Sequence, residues 1–526
     1  MNRRNFLKQV AGASVAVPFV LGAKDPRPNI VLMMADDMGF SDLGCYGSEI
    51  ATPNIDQLGK NGIRFTQFYN MARCCPTRAA LMTGLYPHEA GVGHMVDKHP
   101  GYPSYQGFLN DQSVTIAEVL KPAGYRTAMA GKWHVGEERP HWPTDRGFEK
   151  YFGLISGASS YFELDEGRTM AMDDQRWTPP KTGFYMTDAF TDKAVEFVDT
   201  FGKGDQPFFL YLAFTSPHWP LHARPEDIAK YRGKYKEGWD KLRERRHRNM
   251  VEMGLIKKSW GISPRDEKAP SWDEEKNKDE RDLAMSVYAA QIDRMDQNVG
   301  RVVAKLKLLG IFENTLILFL ADNGGCAEEI HRGKEGVTTG TAGSYESYGL
   351  PWANASNTPF RMFKHWVHEG GISTPLIAHW PKGISHKGEL CHEPGHLVDV
   401  MATCVDLGKA KYPASVNGKA IRQMAGESLS PTFKTLKRPE RRPIFWEHEG
   451  NRAVRQGKWK IVSKFRGDWE LYDIDADRTE QANLAGKQQD RVRKMAALYD
   501  SWAEQAGVVS YEKLIPANNK KKKGDA

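Results

Sequence analysis

Short, continuous apolar runs recur along the chain and alternate with stretches of helical periodicity. The apolar runs lie at 29–35, 126–130, 208–214, 315–321 and 376–378. Runs of this length are typical of strands that are buried on both faces of a parallel sheet. Helical patterns lie between them, for example at 113–121 and 284–309. This alternation predicts an α/β fold, with a large doubly wound domain built on a mixed or parallel sheet.

The pattern changes from about residue 440 onwards. Four short strand-like segments separated by turns are followed by a helical pattern; they lie at 442–446, 452–456, 459–464, 469–472 and 488–504. This order predicts a small antiparallel sheet with a helix packed on it. We therefore expect a catalytic α/β domain over 27–435, an α+β subdomain over 436–512 and a basic tail over 513–526.

The segment 221–283 interrupts the alternation of strands and helices. It is charged and poorly patterned, with Arg243-Glu244-Arg245-Arg246 near its middle. We expect a surface insertion that is partly helical and does not form a domain of its own.

Length and charge limit the possible functions. A chain of 526 residues is too long for one ordinary core, which favours one large and one smaller domain. The net charge is +7, but residues 1–23 and 520–526 each contribute +3, which leaves +1 for the rest. A protein that binds nucleic acid needs a basic face on its fold, so this distribution gives no support for a nucleic-acid partner.

The N-terminus has the parts of an export signal. Arg3 and Arg4 precede an apolar stretch from Val10 to Leu21, which small residues follow. Paired arginines in this position are typical of the twin-arginine type, and 1–23 would then engage the export machinery. The alternative is an uncleaved anchor, but the stretch is shorter than the roughly 20 residues that a spanning helix needs. We expect an exported protein, periplasmic or extracellular, without stable membrane insertion.

Polar side chains follow four of the predicted strands at the point where each strand ends. They are Asp36, Asp37, Lys132, His134, His218, Asp322 and Asn323. Ligands bind at the carboxyl ends of the strands in open parallel sheets, so these residues predict a site at that edge. A single Asp-Asp pair would more often be a helix cap or a turn. Three carboxylates and an amide oxygen suit calcium or magnesium better than zinc.

The segment from Cys74 to Gly84 combines a cysteine with a predicted helix N-terminus. Pro76 fits the first turn of a helix, and Arg78 follows about one turn in. A helix N-terminus and a guanidinium both favour an anion, which predicts an anion site beside a nucleophile. A buried pair of cysteines, Cys74 and Cys75, or a disulfide between them, is an equally good interpretation of the spacing.

This segment resembles the signature of the formylglycine-dependent sulfatases, Cys-x-Pro-Ser-Arg followed after four residues by Thr-Gly. Thr77 stands where serine is commoner and keeps the hydroxyl. The resemblance extends from about Asn29 to Ala485, and the segments 235–246 and 469–474 are similar to the bacterial arylsulfatase branch. It implies an alkaline-phosphatase-like fold and hydrolysis of a sulfate ester, from an aryl sulfate or a sulfated carbohydrate.

The resemblance also implies how the nucleophile and the metal site are made. Cys74 would be oxidised to formylglycine by a formylglycine-generating or sulfatase-maturating enzyme. The hydrated gem-diol would attack sulfur, and its second hydroxyl is needed to expel sulfate, which a thiol could not do. The resemblance implies one calcium ion, held by Asp36, Asp37, Asp322, Asn323 and the modified Cys74.

The remaining site residues have roles that the resemblance implies position by position. Lys132 and Lys364 match lysines on the sulfate oxygens, and His134 matches a histidine on the gem-diol. His218 matches the residue that faces the leaving oxygen, a candidate general acid. Arg78 would stabilise the ionised gem-diol together with the ion. Lys132 and His134 are two apart on a segment that we expect to be extended, so both would face one way.

Other histidines near these motifs are less clearly assigned. The shape of the family suggests a substrate pocket for His94 and His448, although polar clusters of this kind are usually structural or solvated. His365 and His368 match no motif, and we expect them on the surface.

Two other functions compete with the sulfatase interpretation. Phosphomonoesterases and phosphodiesterases of the same α/β superfamily use a Ser or Thr nucleophile and usually metal-binding histidines, which the intact Cys74 motif argues against. An inactive protein that binds sulfated glycans would be expected to lose catalytic residues, and every matched position is present. The loops at 95–110, 158–180 and 327–357 carry no recognisable code for the substrate.

Overall fold

The computed structural model describes residues 25–98 and 100–515. The predicted export signal over 1–23 lies outside the described residues, as do residues 516–526 of the predicted basic tail. Among the described helices, none has both the length and the apolar character needed to cross a membrane.

Strands and helices are numbered in chain order. The strands are β1 (Asn29–Ala35), β2 (Ile63–Phe65), β3 (Phe68–Tyr69), β4 (Arg126–Gly131), β5 (Lys150–Leu154), β6 (Met170–Met172), β7 (Gln175–Trp177), β8 (Phe208–Ala213), β9 (Thr315–Ala321), β10 (Leu376–His379), β11 (Glu389–Cys391), β12 (Gly395–His396), β13 (Ser415–Val416), β14 (Lys419–Ala420), β15 (Ile444–His448), β16 (Asn451–Gln456), β17 (Trp459–Ser463) and β18 (Glu470–Asp473). The helices are α1 (Pro53–Lys60), α2 (Cys74–Thr83), α3 (Ile116–Leu120), α4 (Met186–Gly202), α5 (Pro225–Ala229), α6 (Gly238–Glu252), α7 (Lys278–Leu308), α8 (Gly349–Ser356), α9 (Glu369–Ile372), α10 (Val398–Gly408), α11 (Ser430–Thr435), α12 (Gln489–Ala506) and α13 (Tyr511–Leu514).

The large sheet has ten strands in the order β11-β2-β10-β9-β1-β8-β4-β5-β6-β7. Its central strands, β9-β1-β8-β4-β5, are all parallel, whereas β10 and β6 run antiparallel to their neighbours β9 and β5. The four strands expected to carry site residues are therefore adjacent, and the predicted mixed α/β sheet is confirmed. The apolar run at 376–378 is a strand, but it is antiparallel.

The smaller sheet is antiparallel, in the order β15-β16-β17-β18, and α12 packs on β16 and β17. The predicted C-terminal sheet with its helix is confirmed, while the domain limits 27–435 and 436–512 stay predictions. Leu32 of β1 and Trp446 of β15 belong to the same buried cluster, so the two sheets share a core.

The segment 221–283 differs from the predicted surface insertion. Its central helix, α6, buries Trp239 and Arg246 completely. The Arg246 guanidinium lies 2.6 Å from Asp42 Oδ1 and 2.9 Å from Glu49 Oε1. The prediction failed because these acids lie about 200 residues earlier in the chain, so a run of charges looks solvated in the sequence although its partners bury it.

Candidate active site

The carboxyl ends of β1, β4, β8 and β9 bring the predicted polar residues together. Lys132 Nζ lies 2.6 Å from Asp36 Oδ2, and both side chains are fully buried. Lys364 Nζ lies 2.7 Å from Asp37 Oδ1, although it follows no strand of the sheet. Acids at the end of β1 thus lie between two lysines from distant segments.

Arg78 joins two of the strand ends. One of its Nη atoms lies 3.0 Å from Asp322 Oδ2 and 3.2 Å from Asp36 Oδ2, and the other donates to the backbone oxygen of Lys132 at 2.8 Å. Helix α2 positions this guanidinium, because Thr77 Oγ donates to the Asp322 carbonyl and fixes the first turn against β9. The charge on Arg78 is therefore held against two of the predicted metal ligands.

Two site residues have an unusual backbone conformation. Asp37 and His134 have φ values of 66° and 57°, in the left-handed region that non-glycine residues rarely adopt. Such conformations persist where the surrounding structure dictates them, often at functional sites. The sequence predicts an extended segment here, but the backbone at His134 is not extended, so this prediction is wrong. Lys132 and His134 nevertheless both reach the environment of Cys74.

Four oxygen-bearing side chains form a compact cluster that suits a hard cation. Asp37 is linked to Asn323 through an Nδ2–Oδ1 hydrogen bond of 2.7 Å, and its backbone N–H donates to Asp322 Oδ1. Oδ1 of Asp36 and Oδ1 of Asn323 are buried and have no hydrogen-bond partner among the described residues. Because buried polar atoms are normally satisfied, these orphan oxygens fit a divalent cation bound to hard ligands.

Electrostatics within the cluster lead to the same conclusion. Burial raises the pKa of Asp36, but neighbouring cations, Lys132 first among them, outweigh burial and hold this pKa below its usual value. Burial raises the pKa of Asp322 well above its usual value, and the charge of Asp36 adds to the effect. Acids packed this closely cannot all ionise easily unless more positive charge is present. A bound divalent cation would supply that charge.

Cys74 is the first residue of α2 and is buried. The sequence placed it just before the helix. Its thiol has a pKa well below the usual value, chiefly because the Cys75 thiol donates a hydrogen bond to it; burial opposes the effect, and Lys132 and His134 support it. Cys75 Sγ in turn lies 3.3 Å from His134 Nε2.

His218 is held with one ring nitrogen toward the cluster. Its Nδ1 lies 2.6 Å from the backbone oxygen of Trp219, which can only accept, so Nδ1 carries a proton. Nε2 lies 3.4 Å from Asp37 Oδ2. Burial lowers the pKa of His218, and the charge of Asp37 opposes this. Nε2 is thus the nitrogen that can exchange a proton with a group in the site.

The two histidines suggested for a substrate pocket lie together, beside the site. His94 Nε2 lies 3.4 Å from Glu449 Oε1, and the rings of His94 and His448 are 5.7 Å apart. His448 is fully buried, and neither ring nitrogen has a hydrogen-bond partner among the described residues. His365 contacts the same group, with ring centroids 5.3 Å from His448. A role for these residues in substrate binding stays a prediction.

His368 corrects another prediction. We expected it on the surface, but only 1% of it is exposed. Its Nε2 lies 3.5 Å from Glu470 Oε2, a residue of the small sheet, so packing between the two sheets buries it.

Sequence reasoning missed three residues at the entrance to the site: Arg73, Trp219 and Glu328. Glu328 accepts from Arg73 at 2.8 Å and from Trp219 Nε1 at 2.7 Å. Arg73 directly precedes Cys74, and Trp219 directly follows His218. Arg73 and Trp219 could have been found in the sequence from their adjacency to these two site residues. Glu328 lies in a loop without a recognisable sequence pattern.

Comparisons with known proteins agree with this geometry. The Sulfatase family profile matches residues 28–410, and the profile "N-sulphoglucosamine sulphohydrolase, C-terminal" matches 360–501. An uncharacterized sulfatase of Schizosaccharomyces pombe is 33% identical over 94% of this chain and 97% of its own length. An arylsulfatase of Klebsiella aerogenes is 33% identical over 80% of this chain and 96% of its own.

A solved structure extends the similarity to three dimensions. The crystal structure of Ps i-CgsB in complex with k-i-k-neocarrahexaose has a TM-score of 0.68 to this chain and is 25% identical to it, covering 94% of this chain and all of that one. The fold, the match over most of the length and the arrangement of the site residues lead to one conclusion: the chain belongs to the sulfatase family.

Proposed function

We propose that this sulfatase hydrolyses sulfate esters with a formylglycine made from Cys74 and one calcium ion held by Asp36, Asp37, Asp322 and Asn323. Hydrolysis of sulfate esters is the activity of the family. Formylglycine and a divalent metal are general in the family. Beyond the activity of the family, we propose that Cys74 is the modified residue, that calcium is the metal and that these four residues hold it.

The observation that carries the proposal is the convergence of three buried cations on one oxygen cluster beside Cys74. Lys132, Arg78 and Lys364 lie within 2.6–3.2 Å of the acids. A metal ion bound to the acids would compete with Lys132, Arg78 and Lys364 for the carboxylate oxygens. These three side chains would then be available to contact a bound anion. A sulfate ester carries one negative charge on three oxygens and suits such a set of donors.

Each residue of the site has a separate role in the proposed hydrolysis. The formylglycine hydrate would supply a nucleophilic oxygen and a second hydroxyl for release of sulfate, and the calcium ion, held by the three acids and Asn323, would supply positive charge that stabilises the ionised nucleophile. Lys132 and Lys364 hold the sulfate oxygens and fix the sulfur in line with the nucleophile. His134 lies beside the cysteine pair and can hold a proton of the hydrate. His218 Nε2 protonates the departing alcohol oxygen, so that the alcohol leaves neutral.

The substrate class that we propose is an aryl sulfate or a sulfated carbohydrate. The relatives include an arylsulfatase, and Ps i-CgsB was crystallised with an oligosaccharide. We also propose that a formylglycine-generating or sulfatase-maturating enzyme acts on Cys74. Export to the periplasm or the cell exterior rests on Arg3, Arg4 and the apolar stretch that follows.

Mass spectrometry of the peptide that contains Cys74 tests the central step. The active protein is expected to carry an aldehyde or its hydrate in place of the thiol. Cys74→Ala should remove turnover of 4-nitrophenyl sulfate and leave the fold intact, while Cys45→Ala is a control at a cysteine remote from the site. Full activity with an unmodified thiol at Cys74 would refute the proposal, and phosphate-ester turnover exceeding sulfate-ester turnover would favour a phosphatase.

A further inference from the structure

A cavity of about 320 Å³ opens next to the proposed sulfate site. It is lined by Arg73, Glu328, Lys364, His365, Trp366 and Glu449, among others. Lys364 belongs to both the cavity and the site, so the two are continuous. Small-molecule sites in proteins occupy about 300–1,000 Å³, and this cavity lies at the lower limit of that range. Its position and size suit the alcohol part of a sulfate ester, with room for a single small ring.

Arg73 lines this cavity and does not belong to the proposed sulfate site. It is the N-cap residue of α2, so its backbone is fixed directly beside Cys74. One Nη atom donates to Glu328 Oε1 at 2.8 Å. Nε is buried without a partner among the described residues, and the other Nη makes no hydrogen bond to them. A guanidinium has five N–H donors, so Arg73 keeps most of its donors available for a ligand.

Glu328 fixes the orientation of Arg73. Its second oxygen accepts from Trp219 Nε1 at 2.7 Å, so both carboxylate oxygens are engaged. Burial raises the pKa of Glu328, but Lys364 and Arg73 outweigh burial and hold this pKa well below its usual value. The carboxylate therefore stays ionised and balances the charge of Arg73. The Arg73–Glu328 ion pair has no net charge with which to attract an anion other than the sulfate group. The free donors of Arg73 therefore suit neutral oxygen acceptors.

We propose that Arg73 is a specificity-determining residue that donates hydrogen bonds to the hydroxyl or ring oxygens of a sugar on the alcohol side of the scissile bond, and that Glu328 positions it. This inference rests on the proposed sulfatase function and deepens it. Trp366 adds an aromatic wall, which suits the C–H face of a sugar ring. A nitrophenyl group has neither hydroxyl nor ring oxygens, and the nitro oxygens are weak acceptors, so it uses less of the hydrogen-bonding capacity of the cavity.

The test compares a sugar sulfate with an aryl sulfate in matched variants. The probes are 4-nitrophenyl sulfate and a panel of glucose 6-sulfate, galactose 6-sulfate, N-acetylglucosamine 6-sulfate and galactose 4-sulfate. Because Arg73 is next to Cys74, mass spectrometry measures the formylglycine content of each variant, and rates are divided by that content. Arg139→Ala, which removes an arginine paired with Asp145 away from this cavity, is the control.

We expect Arg73→Ala to lower kcat/KM for the best sugar sulfate at least about tenfold more than for 4-nitrophenyl sulfate, mainly through KM, as loss of uniform binding would do. Glu328→Gln should shift KM in the same direction by a smaller factor. In the double variant Glu328→Gln should have little further effect, because Glu328 acts through Arg73.

Three results would overturn the inference: equal losses on both kinds of substrate, no loss on either, or a wild type that hydrolyses 4-nitrophenyl sulfate but no member of the sugar panel. These are distinct from failure of the proposed function. That failure would be a wild type with calcium and formylglycine in place that turns over no sulfate ester at all.

Discussion

The Lys364 ammonium lies 2.7 Å from Asp37 Oδ1, although 327 positions separate the two residues in the chain. Burial lowers the pKa of Lys364, but Asp37, together with Cys326 and Glu328, outweighs burial and raises this pKa well above its usual value. The lysine is therefore charged at any working pH. It is both a partner of a proposed metal ligand and a proposed contact to the sulfate.

Lys364→Met separates these two roles. Removing a cation beside Asp37 takes away a charge that repels calcium, so calcium affinity should stay the same or rise. Activity on 4-nitrophenyl sulfate should fall by about 10²-fold or more, in the range found when one charged donor at a developing negative charge is removed. Calorimetric calcium titration and kcat/KM measure the two effects, with Lys387→Met at an exposed position as control. A parallel loss of calcium affinity and activity would contradict a direct contact to sulfate.

The second prediction concerns the identity of the metal. Chelation should abolish activity, and calcium should restore it. Asn323→Ala removes an oxygen that is buried without a partner, so it should weaken calcium binding by about tenfold or more. Elemental analysis of the purified protein checks the ion directly. Stoichiometric zinc without calcium or magnesium would be incompatible with this set of oxygen ligands.

The sequence allowed much of this site to be predicted, for a physical reason. Asp36, Lys132, His218 and Asp322 each follow a buried strand, and parallel strands bring their carboxyl ends to one edge. Periodicity alone therefore grouped residues that lie up to 286 positions apart. It also predicted the antiparallel C-terminal sheet, whose strands are separated by short turns.

Lys364 shows where that reasoning stops. It follows no strand, and only the family resemblance assigned it to the site. Arg246 and His368 were placed on the surface because their burial depends on partners that are distant in the sequence, Asp42 and Glu470. The position of Glu328 likewise depends on where a loop folds back. Local patterns carry no information about such pairings.

A third prediction concerns stability. Glu369, in α9, is fully buried, with Lys460 of β17 at 2.9 Å and Arg478 at 3.1 Å. Burial raises the pKa of Glu369, but Lys460, Arg478 and Arg455 together outweigh burial, and the pKa falls to about 2 from a usual value of 4.5. A carboxyl with a depressed pKa stabilises the fold above about pH 4.5, and this contribution is lost as the pH falls from about 4.5 to about 2.

Glu369→Gln should lower the free energy of unfolding at pH 7 by about 3–5 kcal/mol, because it leaves the buried Arg478 without its carboxylate partner and Lys460 with Glu480 alone. The difference between wild type and variant should narrow as the pH falls below about 4.5. Denaturant titrations at pH 7 and pH 3 provide the measurement, with Glu389→Gln, an exposed position, as control. A difference that is constant with pH would show that the charge of Glu369 does not stabilise the contact of α9 with β17.

The last prediction concerns His218 as general acid. Its Nδ1 is occupied by the Trp219 carbonyl, so a proton for the leaving alcohol can come only from Nε2. Acidic phenols leave with little help, whereas sugar alcohols do not. General acid–base groups contribute about 10²–10⁴-fold, so His218→Ala should slow sugar sulfates by such a factor and nitrophenyl sulfates far less.

The sign of the pH dependence follows from the same geometry. Burial lowers the pKa of His218, so the imidazolium that donates the proton is lost as the pH rises through this lowered value. The wild-type rate for sugar sulfates should therefore decline with rising pH, and the decline should be absent from His218→Ala.

The general-acid role itself is measured as the dependence of kcat on the pKa of the leaving group, for the wild type and for His218→Ala. If the variant depends on leaving-group pKa no more steeply than the wild type, while substrate binding is unchanged, His218 only positions the substrate and another residue supplies the proton.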